Sequence, residues 1–141
     1  MAKYNGKRFP AWMQAIWMSD ECTPEMGGVL QVLSWHQGKQ DAIKSRELVQ
    51  ELKQLGWWGD VHRDMRVQIN KLRKLGALIC SAGGNDGGYW IAASWDELEE
   101  YLQRELHSRA MDLLDQEKHL RAAAESVWGK YSPQKQLRME L

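Results

Sequence analysis

The hydrophobic period of this chain switches from helical to strand-like after Gly76 and back to helical after Ser94. That double switch limits the folds open to it. Ala77-Leu78-Ile79-Cys80-Ser81 and Tyr89-Trp90-Ile91-Ala92-Ala93 read as two short strands. Gly83-Gly84-Asn85-Asp86-Gly87-Gly88 between them is a hairpin tip, with glycines available for positive φ. Everything long on either side reads as helix.

Four helices are expected before the hairpin. Phe9 to Met18 is a short one with Pro10 near its first turn, presenting Phe9, Trp12, Met13 and Ile16 on one face. Thr23-Pro24 is a strong start, a capping hydroxyl followed by proline at the first helical position. That helix is expected to run to about Gln37 with Gly38 ending it, Gly27 and Gly28 weakening its first turn. A third runs from about Ser45 to Leu55, where Leu48, Leu52 and Leu55 recur and Gly56 stops it. After the turn Trp57-Trp58-Gly59-Asp60, a fourth runs from Asp60 to Leu75 on the stripe Val61, Met65, Ile69, Leu72, and Gly76 ends it.

Beyond the hairpin, Ser94-Trp95-Asp96-Glu97 is a capping box. Thirty-five residues then pass from Ser94 to Trp128 without proline or glycine, which as one α-helix spans roughly 50 Å. The polar tail 130–141 is expected to be flexible.

Composition narrows the class. Lys and Arg number 19, as do Asp and Glu, so a nucleic-acid surface requires segregated charge. No run of 18 apolar residues occurs, so no membrane partner is expected. Met1-Ala2-Lys3-Tyr4-Asn5-Gly6 carries no secretory pattern, and the well-separated Cys22 and Cys80 suit a reducing cytosol. Most of the eight tryptophans are expected as core or interface anchors.

The order helix, helix, turn, helix, hairpin is that of a winged helix-turn-helix. Ser45-Arg46-Glu47-Leu48 resembles the opening of its first paired helix. His62-Arg63-Asp64-Met65-Arg66-Val67-Gln68-Ile69-Asn70-Lys71-Leu72-Arg73-Lys74-Leu75-Gly76 resembles its recognition helix, and the two strand segments its wing. With Ser94-Trp95-Asp96-Glu97 and a long helix carrying Ser108-Arg109-Ala110, the block from Asp41 to about Arg121 resembles small winged-helix proteins of bacteriophages and prophages. The resemblance implies a mostly α fold with a small β-hairpin, a winged helix-turn-helix core followed by a long C-terminal helix. It divides the chain into a basic lead and packing helix (1–22), a winged helix-turn-helix domain (23–93), an oligomerising helix (94–129) and the tail. It also implies double-stranded DNA as partner, in the cytoplasm of a bacterial host. Two departures stand out. The turn from Gly56 to Asp60 is a few residues longer than usual, and the wing tip carries Asp86 and no base.

Side-chain chemistry points the same way. With the stripe Val61, Met65, Ile69, Leu72 inward, Arg63, Val67, Asn70 and Lys74 fall on the far side, flanked by Arg66 and Lys71. Five bases from Val61 to Leu75 (Arg63, Arg66, Lys71, Arg73, Lys74) face one acid, Asp64, for a local charge of +4. Arginine matches guanine, asparagine adenine, and Val67 a thymine methyl; Lys71, Arg73 and Lys74 suit phosphates. Lys44, Ser45 and Arg46 at a helix start offer a second phosphate contact, with Ser45 alternatively a simple cap. Asn85 is a candidate backbone contact from the wing.

Asp96, Glu97, Glu99, Glu100 and Glu105 against Arg104 make the start of the long helix acidic. That pattern fits the helix dipole, and alternatively a protein-docking face. Leu106, Ala110, Leu113, Leu120 and Val127 are the candidate self-association stripe. Glu105 and Arg109 interrupt strict heptads, so an antiparallel helix pair or bundle is expected, the other fate being packing against the N-terminal helix. A homodimer is the expected assembly.

Nucleotide-loop, redox and metalloprotease motifs are absent from the sequence, and His36, His62, His107 and His119 are scattered. No catalysis, cofactor or metal is expected. The leading expectation is sequence-specific duplex binding in transcriptional control or replication. The alternatives are a phage interaction module that inhibits or redirects a host protein, and a DNA-packaging recognition subunit.

Overall fold

The computed structural model describes residues 9–83 and 87–132. The chain is mostly helical, with one two-stranded antiparallel sheet and a long C-terminal helix. The elements are α1 (Ala11–Trp17), α2 (Pro24–Leu33), a 3₁₀ turn (Lys39–Asp41), α3 (Ser45–Gln54), α4 (Val61–Lys74), β1 (Ile79–Ala82), β2 (Gly88–Ile91), α5 (Trp95–Tyr101), a π-helical segment (Leu102–His107) and α6 (Ser108–Trp128). Gly84, Asn85 and Asp86 at the hairpin tip, the basic lead 1–8 and the tail from 133 lie outside the described residues. Among the described residues, no helix is long and apolar enough to cross a membrane. Two compact units emerge, Met1–Leu102 and Gln103–Leu141.

In the first unit the caps act locally. The Thr23 hydroxyl accepts from the Met26 amide at 3.2 Å, with Pro24 at the first helical position. The Asp60 carboxylate accepts from the Arg63 amide and starts α4. Ser94 Oγ accepts from the Glu97 amide, while the Glu97 carboxylate accepts from the Ala93 amide, one residue before the cap. The capping box therefore closes slightly wider than its usual form.

The core lies where α2, α3 and α4 pack on one another. Val29, Leu30 and Leu33 meet Leu48 and Leu52 of α3 and the stripe Val61, Met65, Ile69, Leu72 of α4. Met13 and Ile16 of α1 are buried in the same cluster, with Phe9 and Trp12 packed against it. The hairpin is covered on both faces at its base. Ile79 pairs with Ile91 and both join the helical core. Cys80 pairs with Trp90, and with the period of two they turn the other way, into a second cluster with Tyr101 of α5. The first turns of the C-terminal helical run thus belong to the core, and the unit boundary falls at Leu102 rather than after Ala93.

Three sequence expectations need correction. First, α2 stops at Leu33, not Gln37. The next residues are recruited to the outer edge of β2, where the His36 carbonyl accepts from the Ile91 amide and the Gly38 amide donates to the Ile91 carbonyl, both at 2.8 Å. Ile43 exchanges two backbone bonds with Tyr89 further along that edge. Paired backbone groups at a sheet edge outweigh one more turn of helix. Second, the run after Ser94 is not uniformly α: Leu102–His107 is π-helical, and the Ser108 hydroxyl reaches the Gln103 carbonyl five residues back. Third, the core takes fewer tryptophans than expected: Trp90 is buried and the half-buried Trp12 and Trp57 pack against the core, whereas Trp17, Trp35, Trp58, Trp95 and Trp128 are exposed, which leaves the interface part of that expectation open.

In the second unit, α6 runs for 21 residues with none of them buried. Glu117 and Arg121 form an i,i+4 pair at 3.2 Å along its surface, worth a few tenths of a kcal/mol, and Asp115 and His119 stand 3.6 Å apart at the same spacing, an ion pair only when the imidazole is protonated.

Candidate nucleic-acid interface

α4 shows its polarity plainly. Its four core residues are buried, and Arg63, Arg66, Val67, Asn70, Lys71 and Lys74 are all exposed. Among the described residues, the side chains of Arg63, Arg66, Lys71 and Lys74 make no ion pair. Four cations on one helix, without an ion-pair partner among the described residues, give this face a positive charge that solution ions or a partner can balance. Val67 is 42% exposed among them, an apolar group in a polar field.

Arg73 is placed otherwise. It is half-buried, and its Nε donates to the Ile79 carbonyl at 2.9 Å and its Nη2 to Ser81 Oγ at 3.2 Å. Its guanidinium lies 5.4 Å from the centre of the Tyr101 ring. It ties α4 to β1 and to α5 and does not share the exposed face. Replacement by alanine removes two hydrogen bonds from a charged donor and a cation–π contact. We expect Arg73→Ala to lower unfolding free energy by about 2–3 kcal/mol in urea titrations while leaving the salt dependence of any DNA binding unchanged. Unaltered stability with a salt slope reduced by about one would return Arg73 to the phosphate contacts.

At the start of α3, Lys44 takes the cap position with no side-chain cap, so Ser45 is the first helical residue and not the cap. Lys44 and Arg46 are exposed and Ser45 half-buried. The first amides of α3 are the orphan donors of any helix start. Asn85 lies outside the described residues.

The candidate self-association stripe is likewise open: Leu106, Leu113, Leu120 and Val127 are each between 42% and 73% exposed, and Ala110 is exposed. Met111, Leu114 and Trp128 are exposed as well, on other sides of α6.

Burial pushes the Cys80 thiol up to about 11, helped by nearby Glu97 and opposed by Arg73. Burial also raises Cys22. Both remain thiols at neutral pH, which is the unreactive form. Among the described residues, no three His, Cys, Asp or Glu side chains converge to hold a metal.

One feature escaped the sequence reading. Trp57 and Trp58, bracketed by Gly56 at φ +102° and Gly59 at φ +84°, line an open groove with Trp17. Two adjacent tryptophans inside a glycine-bounded turn were the available signal.

Comparison with protein-family models, curated proteins and solved structures found no match.

Proposed function

We propose that the first unit is a winged helix-turn-helix that binds double-stranded DNA, with α3 and α4 as the paired helices and β1–β2 as the wing. The carrying observation is the exposed face of α4, four cations without ion-pair partners among the described residues beside Asn70 and Val67. Supporting it are the element order and the packing of α4 on both α2 and α3, which leaves that face outward. In this reading Arg63, Arg66 and Asn70 meet base edges in the major groove, Val67 a thymine methyl, and Lys71 and Lys74 phosphates. Lys44 and Arg46, with the α3 amides, take a further phosphate. The protein acts in the bacterial cytoplasm on a phage site, in transcriptional control or replication, as a homodimer joined through α6.

Selection from a random duplex pool at moderate salt tests this. A recovered palindromic site is the expected result, since a two-fold dimer reads two equivalent half-sites. Recovery of no enriched sequence would count against duplex recognition and favour the interaction-module reading.

A further inference from the structure

α2 carries adjacent glycines, Gly27 and Gly28, an expensive choice inside a helix. Two indoles lie against them. A Cβ on Gly27 would stand 3.7 Å from the Trp17 ring and one on Gly28 3.4 Å from Trp57 Nε1, ordinary van der Waals separations that place both rings close to the α2 backbone. The groove associated with these indoles measures about 1010 Å³ and is lined also by Leu55, Trp58, Glu25, Asp64 and Gln68.

Two independent properties describe what fits it. Trp58 is 88% exposed and Trp17 42%, so two large indoles stand partly in water beside the half-buried Trp57. The charged side chains lining the groove are Glu25 and Asp64, with no Lys, Arg or His among the described lining residues. Aromatic surface and carboxylates, with no base, call for a cation that is also planar. Guanidinium meets both, because it stacks on indole and pairs with carboxylate through its N–H groups. The same carboxylates repel nucleic-acid phosphate.

We propose that this groove docks an arginine-bearing peptide segment of a partner protein. The open groove admits a chain rather than enclosing a small molecule. Asp64 and Gln68 belong to α4 but are distinct from Arg63, Arg66, Lys71 and Lys74, so the inference stands independently of DNA binding.

The test uses full-length protein and a capped peptide of alternating arginine and glycine, read by indole N–H signals in heteronuclear NMR at moderate salt. Saturable shifts of the Trp17, Trp57 and Trp58 signals are expected. Affinity should fall about tenfold or more in Glu25→Gln/Asp64→Asn and in Trp58→Ala, whose side chain is too exposed to support the fold. It should hold in the acid control Glu99→Gln/Glu100→Gln, and in the variant lacking the four exposed α4 cations. An equal response to the glutamate counterpart of the peptide, or to a single-stranded oligonucleotide, would overturn the proposal. So would equal affinity for arginine amide alone, which would mean a small-molecule site. Binding indifferent to Glu25 and Asp64, or absent up to millimolar peptide, would overturn it as well.

Discussion

Substituting alanine at Arg63, Arg66, Lys71 and Lys74 together is expected to remove duplex binding while leaving the fold intact. All four side chains are exposed, make no ion pair among the described residues, and lie away from the buried stripe of α4. Surface changes of this kind usually move stability by no more than about 0.5 kcal/mol. Two arginine–base contacts at about 1–3 kcal/mol each correspond to a loss of at least roughly 30-fold at the specific site. Each cation that meets a phosphate also contributes about 0.9 to the salt slope, so the slope should flatten by up to about 3–4 if all four do. Single variants should separate the roles. Asn70→Ala relaxes preference at one base pair, whereas Lys74→Ala weakens all sequences alike. Fluorescence anisotropy across a salt series measures both. A folded quadruple variant with wild-type affinity and slope would mean that α4 is not the contact surface.

The second large effect concerns assembly. Leu113→Glu with Leu120→Glu is expected to convert a dimer into a monomer. Leu106, Leu113, Leu120 and Val127 recur every seven residues, with Ala110 and Ala124 on the adjoining line, a seam that drifts by only about 20° per repeat. No residue of α6 is buried in the single chain. Leaving leucines in water forfeits about 1.5–3 kcal/mol each relative to burial, and a two-fold pair repeats that loss in both copies. Charge favours the antiparallel arrangement. Residues 108–117 hold Arg109 against Asp112, Asp115 and Glu117, whereas 118–128 hold Lys118 and Arg121 against Glu125. Antiparallel pairing sets the acidic half against the basic half, and parallel pairing sets like against like. Light scattering at tens of micromolar should give twice the chain mass for wild type and the chain mass for the variant. Weaker DNA binding should accompany the loss, because the variant engages one half-site. A wild-type monomer at that concentration would remove the dimer from the account.

What the sequence made legible follows from which forces are local. The buried stripe of α4, the Thr23, Asp60 and Ser94 caps and the glycine at φ +100° after α4 are encoded within a few residues of where they act. The end of α2 was not legible, because residues 36–38 leave the helix to bond with β2, more than fifty positions away. Arg73 shares the charge and helix of its neighbours, and only the arrival of β1 and Tyr101 withdraws it from their face. The indole groove was hidden for the same reason. Trp17, Gly27 and Trp57 are separated in sequence, and only the folded chain brings the two indoles against the α2 backbone at Gly27 and Gly28. The candidate DNA face was legible as composition and periodicity, and the structure adds the exposure and the lack of ion pairs among the described residues.

The most direct measurement of the central claim is the change in backbone amide shifts when full-length protein is titrated with duplex DNA at moderate salt. The account expects saturable changes concentrated at the exposed positions of α4 from Arg63 to Lys74 and at Lys44 to Arg46, with Trp17 and Trp58 little affected. Changes centred on the indole groove or on α6, or no saturable change at all, would contradict it.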